Sequence, residues 1–188
     1  MLMRSGLMRS GYRVSHKGFA AVEMTLVMPV LFLFIVGIWE LTSMIQANTI
    51  ITNISREGAN IVSRASAQTP QDVMAIVALT SSPLDLEEDG IIYISQVVGQ
   101  ESDPPYINNQ YRWTEHGIDV ESDVWAGCGS WDSEGTCQLP DDKPTTNSLP
   151  MTLSDGESVY VVEVIYRYSP VYDWVYDSDF VMSDTTYL

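Results

Sequence analysis

The chain has 188 residues and a formal net charge of −16, and this length accommodates one domain with a modest core beside one membrane segment. The charge is uneven, because residues 1–18 contain four basic and no acidic residues, whereas the remainder contains five basic and 25 acidic ones. Because the remainder is so acidic, it offers no basic surface for phosphate groups, and this argues against nucleic acid as a partner.

The first predicted element is a membrane-spanning helix over residues 19–39. Every residue in it except Glu23 is apolar, small or weakly polar, and at about 1.5 Å per residue it reaches roughly 30 Å, one hydrocarbon core. A carboxylate there costs on the order of 2.5–3.5 kcal/mol at mid-membrane and less near an interface, so Glu23 predicts a functional role. Basic residues before a first span stay in the cytoplasm, which places the acidic remainder across the membrane.

Two simpler interpretations account for less of this segment. A cleaved signal peptide has a shorter apolar core and a small-residue cleavage site, and the first A-x-A triplet is Ala65-Ser66-Ala67, well beyond the end of the run. A plain single-span anchor fits the composition, but it does not account for Glu23.

Residues 40–67 are predicted to continue the same helix as an amphipathic segment, and Pro29 is predicted to kink it because proline lacks the N–H donor. Positions spaced by three and four form its apolar stripe: Leu41, Met44, Ile45, Asn48, Ile51, Ile54, Gly58, Ile61, Val62 and Ala65. A second helix is predicted with Thr69 as its cap and Pro70 first, ending near residues 81–83.

From residue 84 the pattern changes to strands. β-Branched and aromatic residues predict strands over 90–98, 106–113 and 158–168, with a weaker one over 179–183. In the third, Glu163 and Arg167 share one face and Val162, Val164 and Tyr166 the other, and Pro170 ends it. Residues 117–157, rich in Gly, Ser, Asp and Pro, are predicted to form one long irregular excursion. These elements give an α+β fold, with a long N-terminal helix on a small antiparallel sheet.

Cys128 and Cys137 are the only cysteines, and both lie in that excursion on the predicted non-cytoplasmic side. A disulfide is predicted, and closing a loop of about ten residues contributes roughly 2–3 kcal/mol in the chain-entropy model. Zinc would need two more soft ligands, and His116 is the only histidine beyond the membrane. His116 is interpreted as a surface residue.

Asp85, Glu87, Asp89 and Gly90 match positions one, three, five and six of a calcium loop, but position twelve is Gln96 rather than glutamate. A solvated acidic turn is the favoured interpretation, and calcium binding stays open. No catalytic triad, phosphate loop or HExxH motif is present. The sequence therefore predicts neither an enzyme nor a cofactor.

One group of motifs occurs in order along the N-terminal helix. A basic leader ends in Gly18, Glu23 is the fifth residue after it, Pro29 follows six residues later, and the helix continues through Gly37-Ile38-Trp39-Glu40 to Arg56-Glu57-Gly58-Ala59. With these motifs the segment resembles the TadE-like family, the minor pseudopilins of the tight-adherence (Flp) pilus, a branch of the type IV pilus machinery. The later pattern Val162, Val164, Tyr166, Tyr168 and Pro170 is also similar to family members.

The resemblance implies a pilin-like fold and a maturation route. A prepilin peptidase would cut after Gly18 and leave Phe19 as the N-terminus, and Glu23 would neutralise the terminal amine of a neighbouring subunit. The implied layout is a leader over 1–18, a span over 19–39, an amphipathic helix over 40–67 and an α+β domain over 68–188, which is periplasmic or, once incorporated in the pilus, extracellular. The implied partners are the peptidase, other minor pseudopilins, the major Flp pilin and the inner-membrane assembly platform.

Several alternatives stay open at this point. Phe19 as the first mature residue is similar to conventional type IV pilins and type II secretion pseudopilins. TadE and TadF proteins share this layout, whereas the major Flp pilin is little more than the helix. An uncleaved single-span sensor is the alternative from a different class. Capping, priming and adhesion are all compatible with the sequence, which also leaves open whether Phe19 is N-methylated.

Overall fold

The computed structural model describes residues 17–64, 68–170 and 179–188. The chain divides into two compact units, Met1–Leu41 and Thr42–Leu188. The elements, in chain order, are α1 (Lys17–Arg64), α2 (Pro70–Leu79), α3 (Leu86–Asp89), β1 (Gly90–Val98), β2 (Tyr106–Arg112), β3 (Ser158–Tyr168) and β4 (Phe180–Tyr187).

The predicted long N-terminal helix is confirmed as α1, which begins at Lys17 and includes Pro29. Its described residues contain an 18-residue stretch with a mean hydropathy of 2.3, long and apolar enough to cross a membrane. Large apolar side chains in the first unit are exposed, among them Leu26, Phe32 and Ile38. The predicted end of the helix at Ala67 falls on residues 65–67, which lie outside the described residues.

Helix α2 begins as its sequence predicts. Thr69 accepts a hydrogen bond from the Asp72 backbone N–H at 3.2 Å, and the Asp72 carboxylate accepts one from the Thr69 N–H at 3.1 Å. This reciprocal capping box, with Pro70 in the first turn, satisfies donors that the helix itself leaves free. The helix ends at Leu79, slightly earlier than predicted.

The sheet is antiparallel with strand order β2-β1-β3-β4. Strands β1 and β3 have the predicted bounds, and β2 ends at Arg112, one residue before the predicted Trp113. The weaker predicted strand over 179–183 is longer than expected, because pairing with β3 continues as far as Tyr187. The predicted α+β class with its antiparallel sheet is confirmed.

One face of the sheet packs against α1 and α2. Val162, Val164 and Tyr166 of β3 lie in this core with Met74 and Val77 of α2. The buried positions of α1 are Ala47, Ile51, Ile54, Ser55, Gly58 and Ala59. The predicted stripe is therefore wrong at Leu41, Ile45 and Asn48, which are exposed, and its last member, Ala65, lies outside the described residues.

The opposite face of the sheet is covered by residues 117–157, which we call the cover segment. As predicted, it contains no helix or strand, although isolated bridges join Thr136 to Tyr111 and Thr145 to Tyr106 along the outer edge of β2. Its Ile118 and Val124 pack onto the odd-numbered side chains of β1 and β3. The face that carries Glu163 is therefore buried too.

Candidate functional site

The residues predicted for maturation and assembly lie at the start of α1. Lys17, Gly18 and Phe19 belong to its first turn, whereas leader residues 1–16 fall outside the described residues. Glu23 follows little more than one turn later, and its side chain is exposed. Among the described residues, neither salt bridge includes Glu23. Its carboxylate is thus presented on an apolar helix surface.

The next polar side chain in this segment is satisfied internally. Thr25 Oγ1 donates to the Ala21 carbonyl at 2.8 Å, so its hydroxyl needs no partner from lipid or protein. Pro29 lies one turn further on, inside the helix, where its ring cannot donate to the carbonyl of Thr25. The helix continues through this position, and the kink at Pro29 stays a prediction.

The four residues Arg56-Glu57-Gly58-Ala59 consist of an exposed pair followed by a buried pair. Gly58 and Ala59 are buried against the sheet, and a Cβ added at Gly58 would lie 3.1 Å from Val162 Cγ1. Arg56 and Glu57 are exposed and take part in neither salt bridge found among the described residues. The Gly-Ala half has a packing role within the domain, and the charged half faces outward.

Comparison with known proteins finds a likeness to one family, confined to this helix. Residues 18–60 match the family model of the TadE-like proteins. The match confirms the predicted resemblance for a TadE-like segment that begins at Gly18 and extends past Ala59. The TadE-like family is a family of pilus components. No curated protein and no solved structure matches the chain.

Beyond the TadE-like segment, the predicted disulfide is present. Cys128 and Cys137 are bonded, with their Cα atoms 5.9 Å apart. The loop they close contains a turn in which Asp132 Oδ1 accepts hydrogen bonds from Glu134 N and Thr136 N. At its tip Gly135 has φ = +70°, and a Cβ there would lie 2.1 Å from the Arg112 carbonyl oxygen. The loop is thereby seated against the outer edge of β2.

The acidic residues before β1 form a helix terminus. Asp85 caps α3, a short helix that the sequence pattern did not predict, and its Oδ1 accepts from Glu87 N and Glu88 N, both at 3.1 Å. No group of three or more His, Cys, Asp or Glu side chains in the described part of the chain could hold a metal ion.

His116 is partly buried, with Nδ1 2.7 Å from the Trp113 carbonyl and Nε2 3.2 Å from Asp119 Oδ1.

Sequence reasoning also missed a polar contact between α1 and β4. The Asp184 carboxylate accepts hydrogen bonds from Thr52 Oγ1 at 3.0 Å and from Ser55 Oγ. Ser55, which is fully buried, also lies 2.8 Å from Thr186 Oγ1. The signal was present in the sequence as Thr52 and Ser55, two hydroxyls within the apolar stripe of α1.

A second missed feature lies under the cover segment. Glu163 is fully buried in β3, and its Oε1 accepts a hydrogen bond from Asp123 N at 2.9 Å. Burial raises the pKa of this carboxyl, against hydrogen bonds from Ser122 and Asp123 that lower it. The available signal was an acid in the centre of the run Val161-Val162-Glu163-Val164-Ile165.

Proposed function

We propose that this chain is a minor pseudopilin of a Tad (Flp) pilus, cut by a prepilin peptidase after Gly18 and required to assemble the pilus. The observation that carries the proposal is the extent of the TadE-like match, residues 18–60. It begins at the predicted cleavage glycine and contains Glu23 and Arg56–Ala59. The remaining fold, a sheet packed on the distal part of α1, gives the mature helix an extramembrane domain to carry.

The chemistry of Glu23 supports a role in subunit addition. Cleavage after Gly18 would create a new amine at Phe19, and both an ammonium and a carboxylate are costly in lipid. When one subunit's amine meets the Glu23 carboxylate of its neighbour, each charge gains a partner in a low-dielectric medium, where their attraction is strongest. Assembly would then remove two penalties at once.

Charge also favours cleavage before extraction from the membrane. Residues 1–18 contain four basic residues and no acid, so removing them changes the formal net charge from −16 to −20. Those bases hold the leader at the cytoplasmic surface. Residues 19–39 would then span the inner membrane, residues 40–67 would carry the amphipathic part of the helix, and residues 68–188 would lie in the periplasm.

In this proposal the partners are other minor pseudopilins, the major Flp pilin, the assembly platform and the peptidase. The exposed charges Arg56 and Glu57 are available for contacts with them, since each side chain projects from α1 at a point where the helix already packs on the sheet through Gly58 and Ala59.

The test is N-terminal mass spectrometry of the C-terminally tagged chain from peptidase-competent cells, compared with Gly18→Ala. The wild type is expected to begin at Phe19, whereas Gly18→Ala keeps its leader. An uncleaved wild type, or equal processing of Gly18→Ala, would favour a single-span membrane sensor instead.

The role of Glu23 is tested separately with Glu23→Ala and Glu23→Leu. Both variants are expected to be cleaved and inserted, because they make the segment more apolar, but to lose co-purification with pilus partners. Thr25→Ala is the matched control, since the Thr25 hydroxyl donates to the Ala21 carbonyl of its own helix, and Glu23→Asp should retain part of the interaction. Wild-type recovery of partners by Glu23→Ala would refute the charge-pairing mechanism.

A further inference from the structure

Three buried polar atoms lie together on the face of the sheet that the cover segment conceals. Glu163 Oε2, Ser95 Oγ and Gln110 Oε1 are buried and have no hydrogen-bond partner among the described residues. Ser95 pairs with Gln110 across β1 and β2, and it pairs with Val161, two residues from Glu163, across β1 and β3. Ser95 therefore lies between the other two, with Gln110 directly opposed to it and Glu163 diagonal to it. Such positions of a sheet are about 5–8 Å apart, within reach of direct or water-mediated hydrogen bonds between side chains.

Two of these three side chains also fasten the cover segment to the sheet. Glu163 Oε1 accepts from Asp123 N at 2.9 Å, and Gln110 Nε2 donates to the Trp125 carbonyl at 3.0 Å. Ser122 Oγ accepts from Val124 N at 3.2 Å and hydrogen-bonds the Glu163 carboxyl. The state of Glu163 therefore bears directly on residues 122–125.

Within the described part of the chain, no basic side chain forms a salt bridge with Glu163. Its neighbour on β1 is Tyr93 and its neighbour on β4 is Thr185, with Tyr187 nearby. The nearest acid is Asp123 in the cover segment, whose charge adds to the effect of burial. The charged groups around Tyr93 are Arg112, Asp119 and Glu121.

Of the two arginines on this face, Arg112 is bonded to another acid and Arg167 is far from Glu163. Arg112 bonds Asp119 at 3.4 Å and lies 4.9 Å from the centre of the Trp131 ring. Arg167 is four residues along β3, about 13 Å away by strand geometry, and neither salt bridge among the described residues includes Glu163. An ionised Glu163 would be a buried charge without a counter-ion, which proteins avoid by keeping the group neutral.

We propose that Glu163 is a neutral carboxylic acid in the folded domain, that its proton is bound at the Ser95–Gln110 site, and that ionising it loosens the cover segment. The proton on Oε2 is donated to Ser95 Oγ, directly or through one internal water, and the Ser95 hydroxyl in turn donates to Gln110 Oε1, which otherwise lacks a donor. Oε1 remains an acceptor for Asp123 N and Ser122 Oγ. All three atoms are then satisfied without a cation.

The direction of the pH dependence follows from linkage. Because burial raises the pKa of Glu163 above that of the unfolded chain, the folded domain binds more protons than the opened one between the two pKa values. Its stability is therefore greatest below the unfolded pKa and is lost as pH rises through the folded pKa. Within that range, the opening equilibrium of the cover segment should rise about tenfold per pH unit.

The experiment uses the full chain in detergent micelles and compares wild type with Glu163→Gln, which keeps the size of the side chain and cannot ionise. In infrared spectra at pH 7, the difference between wild type and Glu163→Gln should contain the band of a protonated carboxyl. Glu115→Gln, an exposed acid beside the cover segment, is the matched control and should give no such band. A missing band in the Glu163→Gln difference would overturn the proposal without requiring any comparison of stability.

Hydrogen exchange of residues 117–157, followed by mass spectrometry from pH 5 to pH 9, tests the second half. At low pH the two proteins should exchange alike, and as pH rises wild type should become progressively faster than Glu163→Gln. Comparison at equal pH cancels the intrinsic pH dependence of exchange. Equal exchange of the two proteins at every pH would overturn the proposal. So would a wild type whose fast exchange is slowed by added Ca²⁺ at constant pH, because the three oxygens would then bind a cation rather than a proton.

Discussion

Gly58 lies where α1 crosses the sheet and α2 at the same time. A Cβ at this position would be 3.1 Å from Val162 Cγ1 and 3.8 Å from Val77 Cγ1. The first distance is tight, so a methyl group requires Val162 to give way slightly, and a larger side chain would require a larger shift. This gives the Gly-Ala part of the TadE-like segment a packing reason that is independent of assembly.

The effect of a substitution at Gly58 on stability should depend on the size of the new side chain. In Gly58→Ala, a gain in helix propensity of about 0.5–1 kcal/mol offsets the tight contact, and stability should change little. Gly58→Leu should reduce the free energy of unfolding by about 1–3 kcal/mol through overpacking. Denaturant unfolding of the full chain in detergent, followed by tryptophan fluorescence, measures both.

The matched control is Asn53→Leu, which places the same side chain on the exposed side of α1. It should leave the unfolding midpoint nearly unchanged. A wild-type midpoint for Gly58→Leu would show that helix and sheet are not in close contact at this point.

Among the elements, β4 depends on α1 as well as on its ladder with β3. The Asp184 carboxylate joins Thr52 and the buried Ser55 of α1 to the middle of β4, and Ser55 also contacts Thr186. Because β4 is paired on one side only, this polar contact supplements the ladder. The hydroxyls that interrupt the apolar stripe of α1 therefore serve to position an edge strand.

Removing that contact should loosen β4 selectively. Asp184→Ala leaves Thr52 Oγ1 without its acceptor and should reduce stability by about 1–3 kcal/mol, and Asp184→Asn should cost less because its amide oxygen still accepts. Hydrogen exchange of residues 180–187 should accelerate in Asp184→Ala and stay unchanged in Asp155→Ala, an exposed aspartate before β3. Equal protection of β4 in both variants would mean that the ladder alone holds it.

The elements also show how far the sequence specifies the fold. Strands β1 and β3 were predicted with the observed bounds, because β-branched runs are bounded there by Gly90 and Pro170. The prediction ended β4 at Ser183, because Asp184-Thr185-Thr186 is polar. These residues are a strand because they pair with β3, and Asp184 also bonds to side chains of α1. The burial of Glu163 was missed because the cover segment has no periodicity that would indicate its packing on the sheet.

The candidate site was predictable to a different degree. Gly18, Glu23 and Arg56–Ala59 were found from spacing along one helix, and the disulfide from two cysteines in one loop. The Asp184 and Glu163 contacts join residues that lie 129 and 40 positions apart. Such pairs depend on tertiary contacts, which local patterns do not indicate.

At the scale of the whole molecule, the distribution of charge should decide the orientation in the membrane. Four bases precede the apolar segment within 17 residues, and 25 acids follow Gly18. Orientation depends on Lys and Arg near the span rather than on net charge. The leader should therefore hold the N-terminus in the cytoplasm and place Cys128 and Cys137 in an oxidising compartment, where their disulfide forms.

This orientation can be tested through the redox state of the two cysteines in intact cells. The wild type should resist thiol alkylation until it is reduced, and an alkaline phosphatase fused after Leu188 should be active. Replacing the four leader bases by asparagine should invert a fraction of the chains, whose cysteines would stay reduced in the cytoplasm and react. The control neutralises four exposed aspartates and changes net charge by as much, yet should not alter orientation: Asp103, Asp141, Asp142 and Asp155. If alkylation instead followed net charge, or if the leader variant stayed fully oxidised, the leader bases would not be what orients the chain.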